Sequence, residues 1–320
     1  MTIEHDIVTL GEAMTLFVAE TPGPLDGVMR FAKRTAGAET NVAIGLARLG
    51  FKVGWQSRLG DDSMARYLLN AIGGEGVDCS RVACYADERT GFMFKGRVDD
   101  GSDPPIEYHR KGSAASRFAP EHLDEAQIAQ ARHLHVSGVF PALSASTLAA
   151  TQRAMAVART HGKTIGFDPN LRPTLWPSLE AMRATINDLA AHADWVLPGI
   201  EEGRLLTGHL IDDGGPEAIA RFYRERGAQR VVIKLGADGA YFDDVDAGTG
   251  RIPAFPVAQV IDTVGAGDGF MVGVTSALLG GLGIADAARR GAWIGARCVQ
   301  VRGDTDGLPT RAQLDEARIA

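Results

Sequence analysis

A glycine-rich turn late in the chain carries the residue types that phosphate chemistry needs. Residues 262–268 read Asp-Thr-Val-Gly-Ala-Gly-Asp and lead into an apolar segment that predicts a buried helix at 270–279. Gly265 and Gly267 allow backbone N–H groups to converge on an anion, and the start of the helix adds its positive end. Asp268 is suited to accept a proton from a hydroxyl that attacks phosphorus. From these residues alone, an Asp that complements the helix dipole is an equally supported alternative.

A second group of polar residues opens a helix in the N-terminal part of the chain. Residues 36–43 read Ala-Gly-Ala-Glu-Thr-Asn-Val-Ala, and the helical pattern continues to Gly50. Gly37 permits close approach of the backbone to a ligand, and Asn41 is able to hydrogen-bond substrate hydroxyls. On the residues alone, a helix cap at Asn41 is the favoured interpretation.

Two further segments lie at predicted turns. Residues 234–240 contain Lys234, Gly236 and Gly239 after a predicted strand, a spacing typical of a tight turn between strands. Residues 198–202 end in Glu202 at a predicted helix start, where a carboxylate commonly complements the helix dipole. A structural role is sufficient to explain either segment by itself.

Arg110 and Arg172 are candidate ligand-binding cations, one in a strand-like segment and one after a predicted strand. We expect both to lie beside the cleft that the glycine-rich turn lines. A pair of arginines suits a substrate that carries its own carboxylate, because the planar guanidinium group pairs with it through parallel hydrogen bonds. The alternative is that both arginines form surface ion pairs or phosphate contacts. For an isolated arginine a surface ion pair is the usual role.

These residues must be positioned by alternating strands and helices. Short buried-strand patterns occur at residues 7–10, 53–57, 133–137, 164–168, 195–197 and 231–235. Amphipathic helical patterns lie between them, at residues 41–49, 63–72, 144–160, 179–192 and 216–226. The alternation predicts a mainly parallel sheet covered by helices on both faces. Residues 13–35 and 82–111 carry half-polar strand patterns without helices, and we expect them to form a small sheet over one edge of the main sheet.

The composition favours a water-soluble enzyme with a single domain over residues 1–320. Of the 320 residues, 45% are hydrophobic and 23% are charged, which suits a chain with a large core. The net charge of −7 argues against nucleic acid or an anionic membrane as a main partner. The opening residues lack the basic and apolar regions of a secretory signal, and the 3 cysteines have no metal-binding spacing, so we expect reduced thiols in a cytoplasmic protein.

Residues 262–268 resemble the signature of the ribokinase-like (PfkB) carbohydrate kinases. Residues 36–62 are similar to the first signature of the same family, and the resemblance extends over nearly the whole chain. It implies a three-layer α/β sandwich with a mainly parallel central sheet, in which the small sheet is a lid over the sugar. It also implies that Asp268 is the catalytic base and that the amides of Gly265, Ala266 and Gly267 form an anion hole.

The resemblance also implies the ligands. Residues 107–114 and 168–176 are similar to segments of the 2-keto-3-deoxygluconate kinases in this family, which implies ATP-dependent phosphorylation of the terminal hydroxyl of that sugar acid. The residues implied to bind the substrate are Gly37, Ala38, Asn41, Met93, Tyr108, Arg110, Arg172, Asp268 and Asp304. The residues implied to bind ATP are Arg172, Lys234, Gly236, Gly239, Gly265, Ala266 and Gly267. Glu202 is implied to organise Mg²⁺ through water.

Some positions depart from the family pattern and leave alternatives open. Ala36, Met93, His109 and Gly199 stand where many relatives carry Gly, Tyr, Tyr and Asn, so the sugar is less well defined than the reaction. The alternatives are a fructokinase or ribokinase that acts on a neutral sugar, and a non-catalytic sugar-binding protein of the same fold. The resemblance also leaves open a homo-oligomer formed through the lid and a monovalent cation as an additional cofactor.

Overall fold

The computed structural model describes residues 4–99, 104–208 and 214–319, which form a layered α/β protein with two sheets. The strands are β1 (Ile7–Leu10), β2 (Met14–Ala19), β3 (Phe31–Ala36), β4 (Val53–Gly60), β5 (Asp78–Tyr85), β6 (Phe92–Lys95), β7 (Ile106–His109), β8 (His133–Ser137), β9 (Thr164–Asp168), β10 (Trp195–Val196), β11 (Arg230–Lys234), β12 (Ala240–Asp244) and β13 (Gly248–Ile252). The helices are α1 (Ala38–Arg48), α2 (Ser63–Gly74), α3 (Glu125–Gln130), α4 (Ala145–Thr160), α5 (Leu179–Ala190), α6 (Ile200–Thr207), α7 (Pro216–Arg224), α8 (Ala266–Leu279), α9 (Ile284–Cys298) and α10 (Arg311–Ala317).

The larger sheet has nine strands in the order β13-β12-β11-β10-β9-β8-β1-β4-β5. The strands from β11 to β5 pair in parallel, whereas β12 and β13 are added antiparallel at one edge. The interior strand β1 is buried at every position, and its Ile7 lies between Val53 of β4 and His133 of β8. Continuous burial is what a strand covered on both faces requires. The mainly parallel sheet predicted from the alternating pattern is confirmed.

Helices cover both faces of the larger sheet, and successive strand residues point to opposite cores. Ile7 belongs to the core under α1, α2, α8, α9 and α10, whereas Val8 belongs to the core under α3 to α7. Burial of both side-chain sets stabilises the sheet, at roughly 25 cal/mol per Å² of apolar surface removed from water. The predicted three-layer sandwich is therefore confirmed.

The smaller sheet has the strand order β3-β2-β6-β7. Its inner side chains, among them Leu16 and Met93, form a core of their own, and Phe17 and Phe94 stack on its outer face with ring centroids 5.3 Å apart. Residues 82–85, which we expected in this sheet, belong instead to β5 at the edge of the larger sheet. An edge strand is exposed on one side, so its half-polar pattern resembles that of a small separate sheet. Residues 100–103 of the expected lid lie outside the described residues.

The helices at both signatures begin earlier than predicted. Gly37 is the cap of α1 and Asn41 lies in its first turn, so the interpretation of Asn41 as a cap is wrong. Gly265 is the cap of α8, which places Asp268 in the first turn of that helix. Glycine and alanine at a helix start carry little hydrophobic signal, which explains the late predicted boundaries.

Candidate active site

A cleft of about 1250 Å³ lies between the smaller sheet and the edge at which the parallel strands end. Ligands of open α/β sheets bind at this edge because the loops after the strands converge there. The cleft is lined by every residue that the sequence analysis placed in the site: Gly37, Ala38, Asn41, Met93, Tyr108, Arg110, Arg172, Glu202, Lys234, Gly236, Gly239, Gly265, Ala266, Gly267, Asp268 and Asp304. The structure brings these residues together, and their individual roles stay predictions.

The glycine loop, residues 262–268, is held in a conformation that requires glycine. Gly265 has a φ of 86°, and a Cβ atom there would lie 2.5 Å from the carbonyl oxygen of Asp304. Asp262 shapes the start of the loop, because its Oδ1 accepts a hydrogen bond from the N–H of Val264 at 3.1 Å. The N–H of Ala266 donates to the carbonyl oxygen of Thr263 at 3.3 Å. The N–H groups of Gly267 and Asp268 have no acceptor within the helix, and both residues line the cleft. The loop is thereby prepared to bind an anion.

Asp268 has a buried carboxylate that is oriented from two sides. Asn41 Nδ2, on α1, donates to its Oδ2 at 2.7 Å, and Asn170 Nδ2, after β9, donates to its Oδ1 at 3.0 Å. Both donors are side-chain amides of other elements, so the carboxylate is directed at the cleft and not at the first-turn amides of its own helix. This geometry favours the base over the interpretation of Asp268 as a helix-dipole residue.

The surroundings of Asp268 change its acidity. Burial raises the pKa of Asp268 to about 7, the hydrogen bond from Asn41 lowers it, the carboxylates of Asp168 and Asp304 raise it, and Arg172 lowers it. A general base is most effective when its pKa lies near the working pH. Asp268 is therefore able both to accept a proton at neutral pH and to release it afterwards.

Asp168 and Lys234 form a largely buried ion pair near Asp268. Lys234 Nζ lies 2.9 Å from each carboxylate oxygen of Asp168. Burial raises the pKa of Asp168 to about 6, against the opposing effect of Lys234. Burial alone would lower the pKa of Lys234, but the carboxylates of Asp168 and Glu202 outweigh it, so this pKa is raised. Lys234 stays charged next to the glycine loop, where a Cβ on Gly267 would lie 3.5 Å from its Nζ.

Sequence reasoning assigned no role to Asp168 or Asn170, although it used their segment to single out Arg172. Their position directly after a buried strand was the available signal, since such residues meet at the ligand-binding edge of the sheet. Asn170 also has a φ of 38°, which is unusual for a residue other than glycine. That backbone conformation belongs to the turn from which its amide reaches Asp268.

Arg110 lies at the lid end of the cleft in an ion pair with Glu12. Its Nη2 lies 2.5 Å and its Nε 2.7 Å from Glu12 Oε2, and Ser113 Oγ donates to Glu12 Oε1 at 2.5 Å. Arg110 is 9% exposed and Glu12 2% exposed, so the pair is shielded from water. The cation expected beside the cleft is present, but an acidic residue that sequence reasoning missed compensates much of its charge.

Other predicted residues have structural partners as well as cleft contacts. Arg172 Nη1 donates to the carbonyl oxygen of Leu171 at 2.8 Å. Glu202 Oε1 accepts from the N–H of Leu171 at 2.8 Å, and its Oε2 accepts from the N–H of Gly199 at 2.7 Å. Glu202 therefore does act as the helix-start residue that the sequence left as an alternative, while its carboxylate still lines the cleft. Across the described ranges, no group of 3 or more His, Cys, Asp or Glu side chains is arranged to hold a metal ion.

Glycines shape the remaining walls of the cleft. A Cβ on Gly37 would lie 2.5 Å from Thr40 Oγ1 and would also meet the carbonyl oxygen of Glu12, so only glycine lets α1 begin this close to the end of β1. Gly236 and Gly239 have φ values of 59° and 89° in the turn between β11 and β12. The predicted tight turn between strands is thus confirmed.

Comparison with known proteins identifies the family. The family model described as pfkB family carbohydrate kinase matches residues 4–311. This chain belongs to that family. The 2-dehydro-3-deoxygluconokinase of Bacillus subtilis (strain 168) is 50% identical over 310 residues, which cover 97% of this chain and 94% of that protein.

Two solved structures extend the comparison of this PfkB kinase. The PfkB protein from Polaromonas sp. JS666 is 61% identical, with a TM-score of 0.89 over 97% of this chain and 99% of that one. The fructokinase from Xylella fastidiosa, solved with bound ATP, is 25% identical, with a TM-score of 0.84 over 98% of this chain and 99% of that one. The predicted family and the ribokinase-like fold are confirmed. Among the described residues, none of the helices combines the length and the hydropathy that crossing a membrane requires.

Replacement of Asp268 tests the prediction that this residue is the catalytic base. Asp268→Asn retains the size of the side chain and removes its basicity, so kcat should fall roughly 10²–10⁴-fold. The pKa of Asp268 is raised to about 7 in the folded protein, so its charged carboxylate is less favourable there than in the unfolded chain. The free energy of unfolding therefore falls as the pH rises from the ordinary aspartate pKa of the unfolded chain to the raised pKa of the folded protein. The introduced amide nitrogen cannot accept the hydrogen bond from Asn41 or Asn170, and the loss of that bond opposes the gain from removing a buried charge. At pH values above 7 the melting temperature of the variant should therefore stay close to that of the wild type.

The control for this variant is Asp286→Asn, which changes an exposed acidic residue in the first turn of α9. Its kcat should match that of the wild type. Near-normal turnover in folded Asp268→Asn would reject the assignment of the base. A loss of stability without a loss of rate would instead favour the helix-dipole interpretation.

Proposed function

We propose that this kinase transfers the γ-phosphoryl group of ATP to the terminal hydroxyl of 2-keto-3-deoxygluconate and so forms the 6-phosphate. The observation that carries the proposal is the buried Asp268 carboxylate, which Asn41 and Asn170 orient beside an anion-binding glycine loop. The relative that is 50% identical over 97% of this chain bears the name of a kinase of the same sugar acid, which supports the choice of substrate.

In this mechanism Asp268 takes the proton of the attacking hydroxyl. The new bond from the sugar oxygen to the γ-phosphorus forms as the bond from that phosphorus to the bridging oxygen breaks, and ADP leaves with the bond's electron pair. The first-turn N–H groups of α8 stabilise the negative charge on the transferring phosphoryl group. Fixed N–H dipoles do this better than water because they are already oriented when the reaction begins. Lys234, which stays charged beside Gly267, adds a cation near the same group.

The nucleotide occupies the part of the cleft formed by the glycine loop and the turn between β11 and β12. Lys234, Gly236 and Gly239 line this part, and Arg172, which lines the same cleft, is assigned to both the nucleotide and the sugar. Glycines in the turn let the backbone approach a planar base or ribose closely. ATP bound to the fructokinase relative, whose TM-score is 0.84, supports ATP as the phosphoryl donor.

The residues of this site suit a magnesium ion that binds together with the nucleotide. Both carboxylate oxygens of Glu202 already accept backbone N–H groups, which fix the carboxylate at the cleft wall and leave lone pairs for water. Magnesium in kinases keeps several waters and binds mainly through substrate phosphates. Glu202 would hold such a water, and the ion would offset phosphate charge when bound.

The carboxylate of the sugar acid is met by Arg110 and Arg172. Arg172 donates to the carbonyl oxygens of Asn170 and Leu171 and forms no ion pair among the described residues, although its charge is near enough to Asp268 to lower the pKa of that carboxyl. Arg110 has further N–H donors beyond those used by Glu12. The ion pair between Arg110 and Glu12 also favours a second candidate, a kinase of neutral sugars, because a compensated cation attracts an anion less strongly.

We also propose that the outer face of the lid pairs with a second copy of this chain. Phe17, Phe31, Phe92 and Phe94 lie on the lid in mutual contact and remain partly exposed. Aromatic side chains that keep exposed surface are enriched in interfaces between proteins. Sedimentation should give a dimer that Phe17→Ser/Phe94→Ser dissociates, whereas a wild-type monomer at micromolar concentration would contradict the pairing.

Substrate choice is tested by removal of the lid-side ion pair. Arg110→Ala alone would leave Glu12 buried without its cation, so we choose the double variant Glu12→Gln/Arg110→Met. A lost charged hydrogen bond is worth about 1.5–3 kcal/mol, which corresponds to roughly 10- to 150-fold in kcat/KM. We expect that loss for 2-keto-3-deoxygluconate and little change for fructose or ribose, which should be poor substrates of the wild type.

The matched control removes an exposed ion pair outside the cleft, in Glu125→Gln/Arg153→Met. This control should have wild-type kcat/KM for every sugar. Preference of the wild type for fructose or ribose would reject the sugar acid while retaining the kinase. Phosphorylation of none of these sugars would favour the non-catalytic sugar-binding protein.

A further inference from the structure

Lys95 is a lid residue whose ammonium group is sealed inside the protein. It ends β6, with its Nζ 2.5 Å from Asp262 Oδ2 and 3.3 Å from Asp304 Oδ1. Lys95 is 1% exposed, and the side chains of Asp262 and Asp304 are 6% and 5% exposed. The lysine comes from the smaller sheet, whereas both carboxylates come from the C-terminal part of the chain. This buried cluster therefore joins the lid to the main body of the protein.

Both carboxylates that Lys95 contacts are attached to the glycine loop. Asp262 is the first residue of the loop, and its other carboxylate oxygen accepts the N–H of Val264 at 3.1 Å. A Cβ atom at Gly265 would lie only 2.5 Å from the carbonyl oxygen of Asp304, so the backbone of Asp304 packs directly on the loop. A displacement of either aspartate would therefore move the backbone that presents its amides to an anion.

Removal of the ammonium group would change the balance of charge in this buried cluster. With Lys95 present, a single cation compensates a pair of buried carboxylates. Without Lys95, the carboxyl groups of Asp262 and Asp304 would lie buried and close together with no cation. The two side chains would then move apart, take up a proton or admit water. Neither Lys95 nor Asp262 lines the cleft, whereas Asp304 does. The contacts through which Lys95 acts on the glycine loop are therefore those with the aspartates.

We propose that Lys95 is a positioning residue that couples the lid to the anion-binding conformation of the glycine loop. The ammonium group holds Asp262 and Asp304 at fixed places, and these hold the loop at its start and at Gly265. The proposal rests on the proposed function in one respect, namely that the loop binds the phosphates of ATP. It assigns to a lid residue, on the sugar side of the molecule, control over the affinity for the nucleotide.

The test is the ATP affinity of Lys95→Met, measured calorimetrically without sugar and well below the melting temperature. Methionine has a similar length and no charge, so it removes the cation without creating a large cavity. We expect ATP to bind the variant about 10-fold more weakly, a typical size for coupling between sites. Wild-type ATP affinity in folded Lys95→Met would overturn the proposal.

Two controls separate positioning from stability. Lys33→Met removes a lysine from β3 of the same sheet, where the ammonium lies 4.1 Å from the ring centroid of Tyr67. Leu16→Ala removes a fully buried side chain from β2 and destabilises the lid without a change in charge. Both should retain wild-type ATP affinity. An equal loss of affinity in Leu16→Ala would overturn the proposal, because general loosening of the lid would then explain the effect.

A second variant keeps the proposal testable if Lys95→Met does not fold. Lys95→Met/Asp262→Asn removes one carboxylate together with the ammonium, and the amide oxygen of the introduced asparagine can still accept the N–H of Val264. Weakened ATP binding by this folded variant supports the proposal, whereas wild-type binding overturns it. Failure of the wild-type protein to bind ATP would instead reject the proposed function, so the two failures are distinguishable.

Discussion

The burial of negative charge is the constraint on which the rest of the site depends. The carboxyl groups of Asp268, Asp168 and Asp304 all line or adjoin the cleft, and burial is the largest cause that raises the pKa of each. Buried carboxylates persist only where hydrogen-bond donors or cations compensate them. The cleft must therefore combine an Asp268 carboxyl that is able to take a proton with neighbours that offset the cost of burying the other carboxyl groups.

Different segments around the cleft supply these compensating donors and cations. Asn41 comes from the first turn of α1 and Asn170 from the segment after β9, and together they orient Asp268. Lys234 ends β11 and neutralises Asp168. Lys95 comes from the lid and lies between aspartates at the glycine loop. The requirement for charge compensation thus links the lid, both halves of the main sheet and the glycine loop into one site.

The sequence predicted the local elements and the motif residues better than it predicted their partners. β1, β8 and β9 lie at the predicted residues, because burial on both faces imposes an unbroken apolar run on a parallel strand. The pairing of Arg110 with Glu12, 98 residues away, had no local signal, and neither did the contact of Lys95 with Asp304, 209 residues away. Such pairings depend on how the sheets are placed in the fold. A single sequence shows which charges are present but not which of them meet.

The central claim is that Asp268 has a pKa near neutrality because it is buried and lies close to other carboxyl groups in the cleft. The most direct measurement is a pH titration of the protein with ¹³C-labelled aspartate carboxyl groups, followed by NMR and assigned by comparison with Asp268→Asn. The account predicts that the signal missing from the variant titrates with a pKa of about 7 in the ligand-free protein. A pKa of about 3.9 for that signal, the ordinary value for aspartate, would contradict it.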